Sequence, residues 1–106
     1  MVKERRKEPR LEVTLPVRWE GVIEQRNTTI SDLSTDGCFV LSGGEVALKE
    51  LLRLEIFLPD EEPIYLWAEV VDTAEEIGFA LRFTSVDSDD QKRLDSFVAA
   101  ALNEEK

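Results

Sequence analysis

Apolar and polar residues alternate through Leu11–Glu20, with Val13, Leu15, Val17 and Trp19 on one face and Glu12, Thr14, Pro16 and Arg18 on the other. A period of two is that of a half-buried β-strand. Pro16 marks it as an edge or bulged strand, because proline has no N–H for a central ladder. Residues 21 to 26 carry the chain through a second short strand or a turn into a strand-like run over 27 to 33. Cys38, Phe39, Val40 and Leu41 form the next apolar run, which ends at the breaker Ser42-Gly43-Gly44. Residues 45 to 50 read as a loop with one turn of helix. Leu52, Leu54, Ile56 and Leu58 then alternate with Arg53, Glu55 and Phe57, giving a strand over 51 to 58. Pro59 to Pro63 is a turn whose carboxylates are solvated. Residues 64 to 72 and 77 to 83 form the last strand pair.

The period changes after that pair. Leu94, Phe97, Val98, Ala101 and Leu102 fall at i, i+3, i+4, i+7 and i+8, the stripe of an amphipathic helix over about 88 to 103. Ser88 with Gln91 three residues on has the pattern of a capping box, and Asp89 and Asp90 suit the positive end of the helix dipole. About six short strands at regular spacing predict a mainly β fold, a small antiparallel β-barrel whose closure removes exposed edges. The helix covers the outside or an open end of that barrel.

Composition narrows the function. At 106 residues the chain is of single-domain size and encloses one modest core. No apolar run is long enough to cross a membrane, and no signal-peptide core follows Met1, so a cytoplasmic location is expected. The single Cys38 excludes an internal disulfide framework and reads as a packed thiol. There is no histidine, which removes the commonest general base and metal ligand. No catalytic set, metal site or cofactor is expected.

Charge is unevenly distributed. Residues 1 to 10 carry Lys3, Arg5, Arg6, Lys7 and Arg10 against Glu4 and Glu8, a local +3 within a chain of net −10, so residues 11 to 106 carry −13. An acidic body repels a nucleic-acid polymer at long range, whereas a short arginine-rich arm can hold a compact anion. Arginine suits that task because its planar fork binds two phosphate oxygens, or the O6/N7 edge of guanine. Pro9 disfavours helix at Glu8, so the arm is expected to be extended and flexible, with the barrel and helix occupying 11 to 106.

A second polar cluster, Asp32-Leu33-Ser34-Thr35-Asp36-Gly37, connects two strand-like runs. Asp and Ser side chains hydrogen-bond nearby backbone amides in turns, and Gly37 can take the positive φ that closes one. Gly37 also lets backbone approach a bulky ligand, and the carboxylate and hydroxyl oxygens of the stretch can accept hydrogen bonds.

Together, Arg5-Arg6-Lys7-Glu8-Pro9-Arg10 and Asp32-Leu33-Ser34-Thr35-Asp36-Gly37 resemble the RxxxR and [D/N]xSxxG motifs of the PilZ domain family. Glu76-Ile77-Gly78-Phe79-Ala80-Leu81-Arg82-Phe83 is similar to a glycine-containing final strand of these domains. The resemblance implies a six-stranded barrel of split-barrel type and a receptor for the bacterial second messenger cyclic di-GMP. It assigns Arg6 and Arg10 to phosphates and guanine edges, and Asp32, Ser34 and Gly37 to guanine and its surroundings. Arg5, just before the first motif, goes in family members with a stacked, intercalated pair of ligand molecules. No output domain fits in this length, so the implied role is a single-domain adaptor that signals through a partner protein, in motility, adhesion or biofilm control. Ligand-dependent ordering of the arm is the expected signal. The alternative is a PilZ-like interaction domain that does not bind the nucleotide. Arg18, Arg26 and Arg82 are further arginines that could reach the ligand, and Trp19 and Trp67 are candidates for stacking on guanine.

Overall fold

The structure is a computed structural model and describes residues 11 to 59 and 61 to 104. Six strands, β1 (Leu11–Glu20), β2 (Gln25–Leu33), β3 (Gly37–Leu41), β4 (Leu51–Ile56), β5 (Ile64–Ala74) and β6 (Gly78–Val86), precede one helix, α1 (Ser88–Glu104). All pairings are antiparallel, and the strands close into a barrel in the order β1-β2-β3-β6-β5-β4. Closure satisfies both sides of every strand, which an open sheet of this size could not do.

Alternation explains the core. Leu15, Val17 and Trp19 of β1, Leu52, Leu54 and Ile56 of β4, and Leu66, Ala68 and Val70 of β5 all point inward and are buried. Each such aliphatic side chain contributes about 1.5–3 kcal/mol relative to leaving it in water. Trp19 fills one end of the barrel, edge-on to Phe79 with ring centroids 5.3 Å apart, and its indole N–H donates to Ser42 Oγ at 3.3 Å. Helix α1 closes the other end. Leu94 and Val98 join the barrel core, with Phe97 and Leu102 packed against it, so of the two expected placements the helix takes the open end.

Pro16 takes the second of its two expected settings, a bulged strand and not an edge: the bulge falls between Glu12 and Leu15, and pairing with β4 begins only at Val17. Proline's missing N–H therefore falls outside that ladder. Two features differ from the sequence expectation. The helix is capped by Asp87 rather than by a Ser88–Gln91 box. Asp87 Oδ2 accepts the N–H of Asp89 at 3.3 Å, its carbonyl accepts the N–H of Gln91 at 2.8 Å, and the Gln91 side chain turns elsewhere. Residues 45 to 50 hold a turn at Leu48 and Lys49 and no helix. Strand ends also move: β2 begins at Gln25, β4 stops at Ile56, and β5 and β6 run on to Ala74 and Val86.

Candidate functional site

The Asp32–Gly37 stretch joins β2 to β3 at the barrel end closed by α1. Ile30 and Leu33 are both fully buried although they are three residues apart, which strict alternation forbids. The β2–β3 pairing accommodates them through a bulge between Ile30 and Asp32. With Leu33 inward, Asp32 is set on the outer face, half-buried and in register with Glu12 on one side and Phe39 on the other.

Ser34 is the one buried polar residue among the described residues, 1% exposed. Its N–H donates to the Gly37 carbonyl at 2.9 Å, closing the turn. Its hydroxyl donates to Asp36 Oδ1 at 2.9 Å and accepts the Asp36 N–H at 3.3 Å. The turn is also held from outside: Phe83 N–H donates to the Asp36 carbonyl at 2.8 Å, and Gln91 Nε2 of α1 donates to the Thr35 carbonyl at 3.3 Å. The sequence pattern contained no sign of this tie between helix and loop, because the capping motif accounted for Gln91 locally.

Gly37 is glycine for a different reason from the one expected. No glycine has positive φ, and that conformation belongs to Lys49 and Glu76 instead. Gly37 pairs with Arg82 where β3 and β6 run so close that an added Cβ would fall well inside 3.0 Å of the Leu81 carbonyl oxygen. The backbone that approaches it here is the protein's own. Gly78 faces the Val40 carbonyl in the same way, so the two glycines fix the approach of β3 to β6.

Arg5, Arg6 and Arg10 lie outside the described residues. The register nonetheless sets where β1 starts: Leu11, bonded to Arg10, pairs with Leu33, and Glu12 pairs with Asp32. Of the further arginines, Arg26 is six residues from Asp32 along β2, about 20 Å of strand, and is paired with Glu24 at 2.8 Å. Arg18 pairs in register with Asn27, toward that same far end, and contacts Gln25, Glu20 and Glu55. Arg82 alone of the three stands beside the turn, directly opposite Gly37.

Neither tryptophan is in the turn. Trp19 is fully buried in the core. Trp67 is exposed on the outer face of β5, with the Arg53 guanidinium 5.8 Å from its ring centroid. Trp67 borders a groove of about 390 Å³ on the β1–β4–β5 side of the barrel, together with Arg18, Arg53 and Tyr65. Burial and the neighbouring Glu55 raise the Tyr65 hydroxyl above the usual tyrosine range. Among the described residues no group of three His, Cys, Asp or Glu is placed to hold a metal ion, and no helix is long and apolar enough to cross a membrane.

Comparison with solved structures finds the same barrel elsewhere. The Bacillus subtilis inhibitor of motility, MotI/DgrA, matches with a TM-score of 0.77 and 26% identity over 95% of this chain and 53% of its own. The structure of the K. pneumonia MrkH–c-di-GMP complex matches with a TM-score of 0.80 and 19% identity over 97% of this chain and 54% of its own. The PilZ domain of CeSA from a cellulose-synthesizing bacterium matches with a TM-score of 0.66 and 17% identity over 92% of this chain and 99% of its own. The chain thus spans about half the length of MotI and MrkH. No curated protein matches the sequence. The PilZ domain model matches residues 4 to 100, from the basic arm through the turn and most of α1, and the chain therefore belongs to the PilZ domain family.

Proposed function

We propose that this PilZ domain is a receptor for cyclic di-GMP and passes the signal on by contact with a partner protein. The observation that carries this reading is the β1–β2 register, in which Leu11 pairs with Leu33 and Glu12 with Asp32. It ties the first residue after the RxxxR motif to the strand that leads into the DxSxxG turn. That pairing supports one site shared by two clusters more than twenty residues apart in sequence.

The division of labour follows from chemistry. Arg6 and Arg10 clamp phosphates and guanine edges with their planar forks. Asp32, on the outer face, offers carboxylate oxygens to the N1 and N2 donors of guanine. Ser34 holds the turn, and its hydroxyl becomes available to the ligand when Asp36 releases it. Gly37 keeps the turn flat against β6. The chain carries −13 outside the arm, so holding an anionic ligand draws on the arm's cations, and binding weakens as salt rises. Arg5 adds capacity for a stacked pair of ligands, and the arm orders on binding.

MotI, 26% identical, is an inhibitor of motility, and MrkH has been solved with c-di-GMP. Both support a binding role in signalling rather than catalysis. The test is calorimetric titration with cyclic di-GMP at two temperatures, beside Arg6→Ala and Asp32→Ala, with GTP as control. The expected result is saturable binding lost in both variants, with a ligand-to-protein ratio near two if Arg5 recruits a stacked pair. No binding at high ligand concentration overturns the receptor reading.

A further inference from the structure

We infer that Arg82 is an additional ligand-binding arginine of this site, and that Glu69 competes with the ligand for it. The inference rests on the receptor reading above and adds a residue that neither motif contains. Arg82 is directly opposite Gly37 across the β3–β6 ladder and directly opposite Glu69 across the β5–β6 ladder. Alternation puts its side chain on the outer face: Leu81, one residue before, is buried in the core, as is Cys38 opposite it. Asp32 is on that same face, one strand beyond β3. Because Gly37 carries no side chain, nothing from β3 stands between the Arg82 guanidinium and the turn.

The electrostatics favour a role in binding. Arg82 is the one cationic residue of β3 and β6, whereas Asp32, Asp36, Glu69 and Asp72 add negative charge on the same side. A ligand bearing two phosphates meets a repulsive face there unless Arg82 turns to it. The arginine is free to do so. Its side chain is 58% exposed, and its partner Glu69 binds it through one oxygen at Nη2. The rest of the planar fork faces away from that contact and suits a phosphate or the O6/N7 edge of guanine. Other described arginines are committed elsewhere: Arg93 binds Asp90 and the Pro63 carbonyl under α1, and Arg53 lies over Trp67.

The exchange is of one anion for another. Glu69 occupies Arg82 as a carboxylate and the ligand displaces it, so Glu69 lowers affinity while Arg82 raises it. The experiment is titration of the full chain with cyclic di-GMP for the wild type, Arg82→Ala, Arg82→Lys and Glu69→Gln, each checked by thermal melting. A charge-assisted hydrogen bond at an exposed site predicts about tenfold weaker binding for Arg82→Ala. Arg82→Lys, which keeps charge but loses the fork, is expected to fall between, and Glu69→Gln to bind several-fold more tightly than the wild type; Glu69→Gln binding equal to the wild type overturns the competition. Wild-type binding with Arg82→Ala within twofold of it overturns the inference and leaves the receptor reading standing. Equal weakening by Arg82→Ala and Glu69→Gln also overturns it, since the pair is then only a strut between β5 and β6. If Arg82→Ala melts out, the Arg82→Lys and Glu69→Gln results decide by the same criteria. Failure of the wild type to bind ends both readings together.

Discussion

Replacing Gly37 with alanine separates a structural from a ligand-directed role for the glycine of the DxSxxG motif. Its φ is not positive, so alanine meets no backbone strain of that kind. The cost is steric: the new Cβ would press into the Leu81 carbonyl oxygen, a backbone atom fixed in the β3–β6 ladder that cannot swing aside as a side chain tip can. Overpacking of this type costs about 1–3 kcal/mol, and the reduced freedom of the unfolded chain returns about 0.4–1 kcal/mol. The net destabilisation is about 1–2 kcal/mol, or a fall in melting temperature of roughly 4–15 °C for a domain of this size. Gly43→Ala is the internal control, because an added Cβ there meets nothing within 4 Å. Urea unfolding of both variants and the wild type, with m unchanged, reads the difference as a shift in midpoint. A Gly37→Ala midpoint equal to that of Gly43→Ala would refute the steric argument, and loss of cyclic di-GMP binding at full stability would return the glycine to the ligand.

Three further outcomes follow from the same geometry. Asp87→Ala removes the α1 cap and is expected to cost about 1 kcal/mol, whereas Ser88→Ala changes stability by no more than about 0.5 kcal/mol; thermal melting of the two variants checks which residue caps. Trp19 is 0% exposed and Trp67 45%, so Trp67→Phe should leave blue-shifted fluorescence resistant to iodide quenching, and Trp19→Phe should leave red-shifted, quenchable emission. Glu24 accepts the Glu45 N–H at 2.6 Å and pairs with Arg26, which lower its carboxyl below the ordinary range, the backbone bond most. A depressed folded-state pKa gives stability that is complete above the unfolded-state value and lost as pH falls through the folded one; Glu24→Gln should therefore flatten the acid limb of the stability–pH curve, measured by denaturant unfolding between neutral pH and the acid transition.

What could be read from the sequence was whatever depends on near neighbours. The alternation of Leu15, Val17 and Trp19, the parallel run Leu52, Leu54 and Ile56, and the helical stripe through Leu94 and Val98 fixed the six strands, the helix and much of the core, because burial on one face imposes its period. The hexapeptide turn was legible for the same reason. Features set by non-local pairing were not. Pro16 signalled an irregular strand, but only the closed barrel distinguishes a bulge from an edge. The reason for Gly37 lies with Leu81, more than forty residues away. Arg18, Arg26 and Arg82 are equivalent as letters, and only register puts Arg82 beside the turn and the others toward the far end of the hairpin. Capping went to Asp87 because two residues in succession offer a side-chain oxygen, and the tie from Gln91 to Thr35 draws the glutamine away from a box. Arg5, Arg6 and Arg10 remain assigned through the family resemblance.

The central claim is that the basic arm and the DxSxxG turn close on one ligand. Hydrogen exchange of the full chain, with and without saturating cyclic di-GMP, reads both segments in a single experiment. The account predicts new protection in residues 3 to 10 and in residues 32 to 37, with the far barrel end around Trp19 unchanged. Exchange in both segments that is the same with ligand as without it would contradict the account.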